Sequence, residues 1–172
     1  MSEKEIAEKA IEGDDDSFLA VMHLHKETLL RTAMAFLKNE QDALEALQEV
    51  TYRAYKKIHT LREPDYLKTW LIRIMMNYCQ DQLKRRDRFI ASDERLENIG
   101  IEDSSRLEIE EALAELSMEE QQLIYLKYFQ EVKIKEIAAL SNLPEGTVKS
   151  RLHKILRSLR KHFVEKGGMD RV

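Results

Sequence analysis

SNLPEGTVKSRLHKILRSLRKH, residues 141–162, gathers Lys149, Arg151, Lys154, Arg157, Arg160 and Lys161 against one acid, Glu145, in a chain whose net charge is −4. On a helical wheel Val148, Leu152, Ile155, Leu156 and Leu159 share one stripe, which predicts the buried face. Ser150, Lys154, Arg157 and Lys161, at spacings of 4, 3 and 4, fall opposite it. Lys149 and Arg151 flank the stripe and His153 lies near the outer face. Just upstream, VKIKEIAALS predicts a short helix with Ile134, Ile137 and Ala138 turned inward. Leu143 fills the break at NLP, and Pro144 stands near the next helix start, where its missing N–H costs little. Two short helices joined by a turn of about three or four residues form a helix-turn-helix. A basic outer face alone is also what a solvated surface presents. The turn, the Pro start and the slender tip of Gly146, Thr147, Lys149 and Ser150 point instead to a helix entering a DNA major groove. Its C-terminal half would follow phosphates.

The rest of the chain suits that reading. With 172 residues, five glycines and two prolines, strand and turn punctuation is scarce, which predicts an all-α protein of one domain or two small ones. No apolar run reaches the length of a membrane span, and MSEKEIAEKA is too charged for a signal peptide, so a cytoplasmic location is expected. Cys79 is the only cysteine, which excludes an internal disulfide and disfavours a cysteine-based zinc site. No cofactor or metal is expected.

Upstream, four helices are predicted. Ser2 and Glu5 form a capping-box pattern before Ile6, Ala10 and Ile11, with Gly13 as the stop. Asp14–Asp16 open a second helix, where the dipole favours acids, and Phe18, Val21, Met22, Leu29, Leu30, Ala33 and Leu37 give its apolar period. A third begins at Asn39–Asp42, with Leu44, Leu47, Val50, Thr51 and Ala54 recurring on one face. HTLREPD (59–65) is a loop, because Pro64 disfavours helical geometry at Glu63. A fourth helix runs from about Tyr66 through Arg86. Residues 89–105 have no period and hold five acids against Arg95, which predicts an acidic linker. Beyond it a helix over about 106–116 carries Leu107, Ile109, Leu113 and Leu116. A second capping box, Ser117 with Glu120, opens a helix bearing Leu123, Ile124, Tyr128 and Phe129. The resulting layout is domain 1–88, linker 89–105, domain 106–165 and a flexible tail 166–172.

Two further segments carry chemistry. In LKTWLIRIMMNYCQDQLKRRDR (67–88), Trp70, Leu71, Ile74, Tyr78 and Leu83 form an apolar face. Lys68, Arg73, Asn77, Lys84, Arg85, Arg86 and Arg88 add donors and charge. Asn77 carries the paired donor and acceptor that recognise a base edge, and nearby aromatics can support an unstacked base. Trp70 itself reads first as a core aromatic. In QDALEALQEVTYRAYKK (41–57), Asp42, Glu45 and Glu49 share a face with Gln48 and Arg53 close by. This is either a solvated ladder or a docking face for a helical partner.

Taken in order, these three segments resemble one family, the sigma-70 RNA polymerase sigma factors of the extracytoplasmic-function type. DALEALQEVTYRAY is similar to the family's polymerase-binding helix, with Asp42, Ala43, Gln48, Glu49, Ala54 and Tyr55 matching. Glu45 stands where Asp is usual and Leu44 where an acid is. TWLIRIMMNYCQDQLKRRDR resembles the segment that melts and reads the minus-10 promoter element, and LPEGTVKSRLHKILRSLRK resembles the minus-35 recognition helix. The resemblance covers nearly the whole chain. It implies two helical domains joined by a flexible acidic linker, and promoter recognition, DNA opening and transcription initiation in partnership with core RNA polymerase. By position, Asp42, Glu45, Gln48, Glu49 and Arg53 would meet the polymerase. Lys68, Thr69, Arg73, Asn77, Lys84, Arg85 and Arg86 would serve the minus-10 element, where a base flips into a pocket formed by the loop 62–69 and Asn77. Thr147, Lys149, Ser150, Arg151, His153, Lys154 and Arg157 would serve the minus-35 element. The family commonly has other residues at Lys149 and His153, which bears on the preferred promoter sequence. It further implies an anti-sigma partner, often membrane-anchored. The linker reads equally as a tether and as a carboxylate mimic of a strand in the RNA path.

Two rivals remain. A stand-alone helix-turn-helix regulator would need a dimerisation coiled coil or a ligand pocket, and nothing reads as either. An enzyme would need site chemistry: His23 and His25 sit two apart on a helix and point to different sides. Cys79 reads as a buried small hydrophobe, and phosphate-loop and paired-carboxylate signatures are absent.

Overall fold

A computed structural model describes the backbone of residues 1–90 and 104–167 and the side chains of residues 1–88 and 109–165. Two compact units divide the chain, one within Met1–Arg95 and the other within Leu96–Val172. Every regular element among the described residues is helical.

The first unit holds α1 (Glu3–Ile11), α2 (Asp15–Leu37), α3 (Glu40–Lys57) and α4 (Leu67–Ile90). Their ends follow from local chemistry. The Ser2 hydroxyl oxygen accepts from the Glu5 N–H at 3.2 Å and opens α1. Gly13, at φ +107°, closes it: its N–H donates to the Ala10 carbonyl at 3.1 Å and the Asp14 N–H to the Lys9 carbonyl at 3.0 Å. This pair of bonds is the one a left-handed residue after a helix makes possible. Asp14 then caps α2, its carboxylate accepting from the Ser17 N–H at 3.0 Å. Asn39 caps α3 through the Asp42 N–H at 2.9 Å. Pro64 leaves Glu63 extended at φ −110° and ψ 108°, and the expected loop becomes two 3-10 turns, Ile58–Thr60 and Pro64–Tyr66, rather than coil throughout.

Packing corrects two of the expected faces. On α3 the buried residues are Ala43, Ala46, Val50 and Ala54, while Leu44 is 43% exposed and Leu47 and Thr51 are half-buried. Three alanines in that stripe let the α3 backbone come close to α2 and α4, and this close fit outranks the area a leucine would bury. On α4 the core is made by Leu67, Leu71, Ile72, Met75, Met76 and Cys79. Trp70, Ile74, Tyr78 and Leu83 are only partly buried, so Trp70 is not the core aromatic expected of it. α4 also runs past Arg86 to Ile90 because LKRRDRFI contains no breaker.

His25, half-buried on α2, lies near Lys68 and Glu3. Burial, with the Lys68 ammonium adding to it and Glu3 opposing, holds its pKa below the ordinary 6.5. Below that value the unfolded chain therefore binds more protons than the folded one. The stability involved is whole above the unfolded value and is lost as pH falls through it toward the lower folded pKa. Urea unfolding at about pH 5.5 should give a lower midpoint than at about pH 7.5, and His25→Gln should reduce the difference. An undiminished difference in that variant would assign the effect to other groups.

The second unit holds α5 (Ser104–Ala114), α6 (Met118–Ile124), α7 (Ile134–Ser141) and α8 (Glu145–Gly167). Of the expected linker, residues 91–103 lie outside the described residues; 89 and 90 belong to α4, and 104 and 105 open α5. Of the expected tail, α8 takes in 166 and 167, and 168–172 lie outside. The capping box at α6 is complete, with Ser117 Oγ accepting from the Glu120 N–H at 3.2 Å and Glu120 accepting from the Ser117 N–H at 3.0 Å.

After Ile124 the helix widens into a π turn, Tyr125–Phe129, closed by the Gln130 N–H on the Tyr125 carbonyl at 3.1 Å. That extra residue per turn rotates the chain. Tyr125 and Leu126 point inward, while Tyr128 and Phe129 are 50% and 65% exposed. Val132, Ile137, Ala138, Val148, Leu152 and Ile155 complete the core. Leu159 is half-buried and Leu156 is 37% exposed, which narrows the predicted stripe of α8 by one residue.

Candidate nucleic-acid interface

α7 and α8 are joined by Asn142–Pro144. Asn142 adopts φ 54°, a left-handed conformation that its short polar side chain tolerates, and the Leu143 N–H donates to the Ala138 carbonyl at 3.0 Å. The Pro144 carbonyl accepts the first α8 bonds, from Thr147 at 3.0 Å and Val148 at 3.2 Å. The turn thus presents the first turns of α8 outward. A Cβ built on Gly146 would meet nothing within 4 Å, which leaves this tip slender and open.

Lys149, Ser150, His153, Lys154 and Arg157 all line one shallow open depression on α8, with a volume of about 560 Å³. All five are exposed, and among the described residues no ion pair engages the three cations. Two other expected members stand apart. Arg151 lines a second, smaller hollow with Glu119, Glu120, Leu123 and Lys154, and Thr147 is half-buried. The acids at the start of α6 therefore face Arg151, a neighbourhood that spacing along α8 does not reveal.

On α4, Trp70, Arg73, Asn77 and Lys84 recur at spacings that place them on one stripe, with Asn77 and Lys84 exposed and Trp70 and Arg73 half-buried. Burial holds the Arg73 pKa below its ordinary value, yet a guanidinium stays charged at neutral pH. Lys68 is exposed but lies beside His25 of α2, off that stripe. Thr69 is 4% exposed, so it supports the turn from within. Arg85 is exposed, whereas Arg86 Nη2 donates to Asp42 Oδ2 at 2.5 Å.

That pair divides the acids of α3. Asp42 faces α4, and Glu49 accepts from Arg53 Nε at 3.2 Å while the Arg53 guanidinium lies 5.1 Å from the Tyr78 ring centre. Glu45 and Gln48 are exposed, and Leu44 and Tyr52 stand on the same outward side, 43% and 55% exposed. Sequence reasoning missed Leu44 and Tyr52 as surface residues. The signal was there in the 3, 4, 4 spacing of Ala43, Ala46, Val50 and Ala54, which sets the inward direction and leaves Leu44 out.

The chain matches the family model for Sigma-70 region 2 over residues 21–89 and that for Sigma-70, region 4 over residues 106–159. It is 32% identical over 140 residues to RNA polymerase sigma factor SigV of Bacillus subtilis, a match spanning 79% of this chain and 84% of that one. The chain belongs to the sigma-70 family. ECF RNA polymerase sigma factor SigW of the same organism is 29% identical over 170 residues, spanning 88% and 91% of the two chains, and places this sigma factor with the extracytoplasmic-function type. The fold is similar to that of CnrH solved with the cytosolic domain of CnrY, at a TM-score of 0.64 and 21% identity over 92% of this chain and 95% of that one. It is also similar to sigma factor RpoE solved with the anti-sigma factor NepR from Bartonella quintana, at 0.60 and 22% over 85% and 96%. In this sigma factor, region 2 takes in most of α2, all of α3 and nearly all of α4, and region 4 ends on the exposed cations of α8. No helix among the described residues is long and apolar enough to cross a membrane.

Proposed function

We propose that this sigma factor directs core RNA polymerase to promoters by two separate contacts and opens the DNA at one of them. The observation that carries the reading is the outward face of α8, where Lys149, Ser150, His153, Lys154 and Arg157 share one unobstructed surface behind a helix-turn-helix turn. Lys149, Ser150 and His153 lie near enough to the tip to meet base edges of the minus-35 element, and Lys154 and Arg157 follow with phosphate contacts. Trp70, Arg73, Asn77, Lys84 and Arg85 serve the minus-10 element. Asn77 offers a donor and an acceptor to a base taken out of the stack, Trp70 offers an aromatic face, and the cations hold the backbone. Glu45 and Gln48, flanked by Leu44 and Tyr52, meet the polymerase.

Each promoter contact neutralises only a few phosphates, and the chain is acidic overall, with net charge −4. Held at a fixed separation by polymerase, two such modest sites gain about two to four orders of magnitude over either one. The protein therefore acts by binding rather than by catalysis, in the cytoplasm with polymerase. An anti-sigma partner of the kind solved with similar folds would silence it by covering one of these faces.

In vitro transcription with purified core enzyme on a genomic library tests the reading. Adding the protein should move initiation to a set of sites sharing two spaced elements, and the free chain should bind those sites weakly in a salt-titrated shift assay. Unchanged start sites, or tight sequence-specific binding by the free chain, would contradict it.

A further inference from the structure

The cations at the end of α4 are not equivalent. Lys84 and Arg85 are exposed, whereas Arg86 is joined to Asp42, 44 residues away in the chain, with the two side chains 42% and 26% exposed. Asp42 lies in the first turn of α3. Further along α3, Arg53 bonds Glu49 and covers the ring of Tyr78, which precedes Arg86 on α4. Early α3 thus meets late α4, and later α3 meets earlier α4, so the helices pass antiparallel and are tied at two places. Glu45 and Gln48 lie on the outward side of α3 between those ties.

We propose that Arg86 is a positioning residue: it holds the first turns of α3 against the end of α4, fixes the direction in which Glu45 and Gln48 face the polymerase, and makes no phosphate contact. The proposal rests on the polymerase-binding role given to α3 above. It separates Arg86 from the basic run in which it sits, because a guanidinium committed to a carboxylate has its charge already balanced and one edge already occupied. The tie at Asp42 also makes that carboxylate an internal partner, which leaves Glu45 as the acid free for an external one.

The test uses the full chain carrying Arg86→Gln, Asp42→Asn or both, with Arg85→Gln for comparison. Arg86→Gln and Asp42→Asn should each weaken association with core polymerase by about threefold to tenfold, and the double variant should lose no more than either, since one pair is removed in all three. For holoenzyme on promoter DNA, the slope of log affinity against log salt should be unchanged by Arg86→Gln and should shrink by about one with Arg85→Gln. An equal loss of slope in Arg86→Gln, additive losses in the double variant, or unaltered polymerase affinity would each overturn the proposal. If the unaltered chain does not bind core polymerase, the proposed function fails instead. The tie is then read from thermal unfolding, where single-variant midpoint losses of about a few degrees that do not add support it and additive ones overturn it.

Discussion

Replacing Lys149 and Lys154 together with alanine should cut minus-35-dependent initiation by roughly a hundredfold while leaving polymerase association intact. The size follows from about 1.4 kcal/mol for each lost groove or phosphate contact, at the lower end of the range for a base contact, with each such step worth about tenfold. Both ammonium groups lie in the one open depression on α8, and no ion pair among the described residues holds either of them. Their removal should therefore not disturb the fold, whose core on this helix is Val148, Leu152 and Ile155. Transcription from a promoter with both elements, compared with one whose minus-35 element is scrambled, separates the roles. The variant and the scrambled promoter should show the same residual activity. A variant that loses polymerase binding, or that initiates normally from the intact promoter, would mean that α8 does something other than hold the minus-35 element.

The second large effect is expected on the opposite partner. Glu45→Lys combined with Gln48→Ala should weaken association with core polymerase by about ten- to a hundredfold, because a reversed charge at an interface costs more than a truncation. These two residues are chosen over the acids beside them for a structural reason. Asp42 and Glu49 are engaged by Arg86 and Arg53, so altering them changes the first unit itself, whereas Glu45 and Gln48 are exposed on the outward side of α3. Leu44 and Tyr52 supply apolar area beside them, and Lys56 sits with its ammonium 4.4 Å from the Tyr52 ring centre. Competition against a reference sigma factor for a limited amount of core enzyme measures the loss. Full competition by the variant would remove α3 from the polymerase contact.

Much of this molecule was legible residue by residue. Ser2, Asp14, Asn39 and Ser117 each start a helix where their side-chain oxygens suggest, and Gly13 ends one. The helix-turn-helix and its outward cations followed from spacing alone, since Val148, Leu152 and Ile155 are buried and Ser150, Lys154, Arg157 and Lys161 are exposed. The misreadings share a cause. Leu44 and Leu156 read as members of an apolar stripe because they are large and apolar at helical spacing, yet both are more than a third exposed.

Local chemistry along the chain decided where helices begin and stop, that there are no strands among the described residues, and which side of α8 is charged. Those features depend on backbone hydrogen bonds and a 3.6-residue period, and both act within a few residues. Tertiary packing alone decided that α3 turns its alanines inward, that a π turn at Tyr125–Phe129 rotates two aromatics outward, and that Arg86 belongs to Asp42 rather than to solvent. A period names the faces of a helix without ranking them; how closely two backbones can approach, and which charges that approach brings together, is settled only when the helices meet.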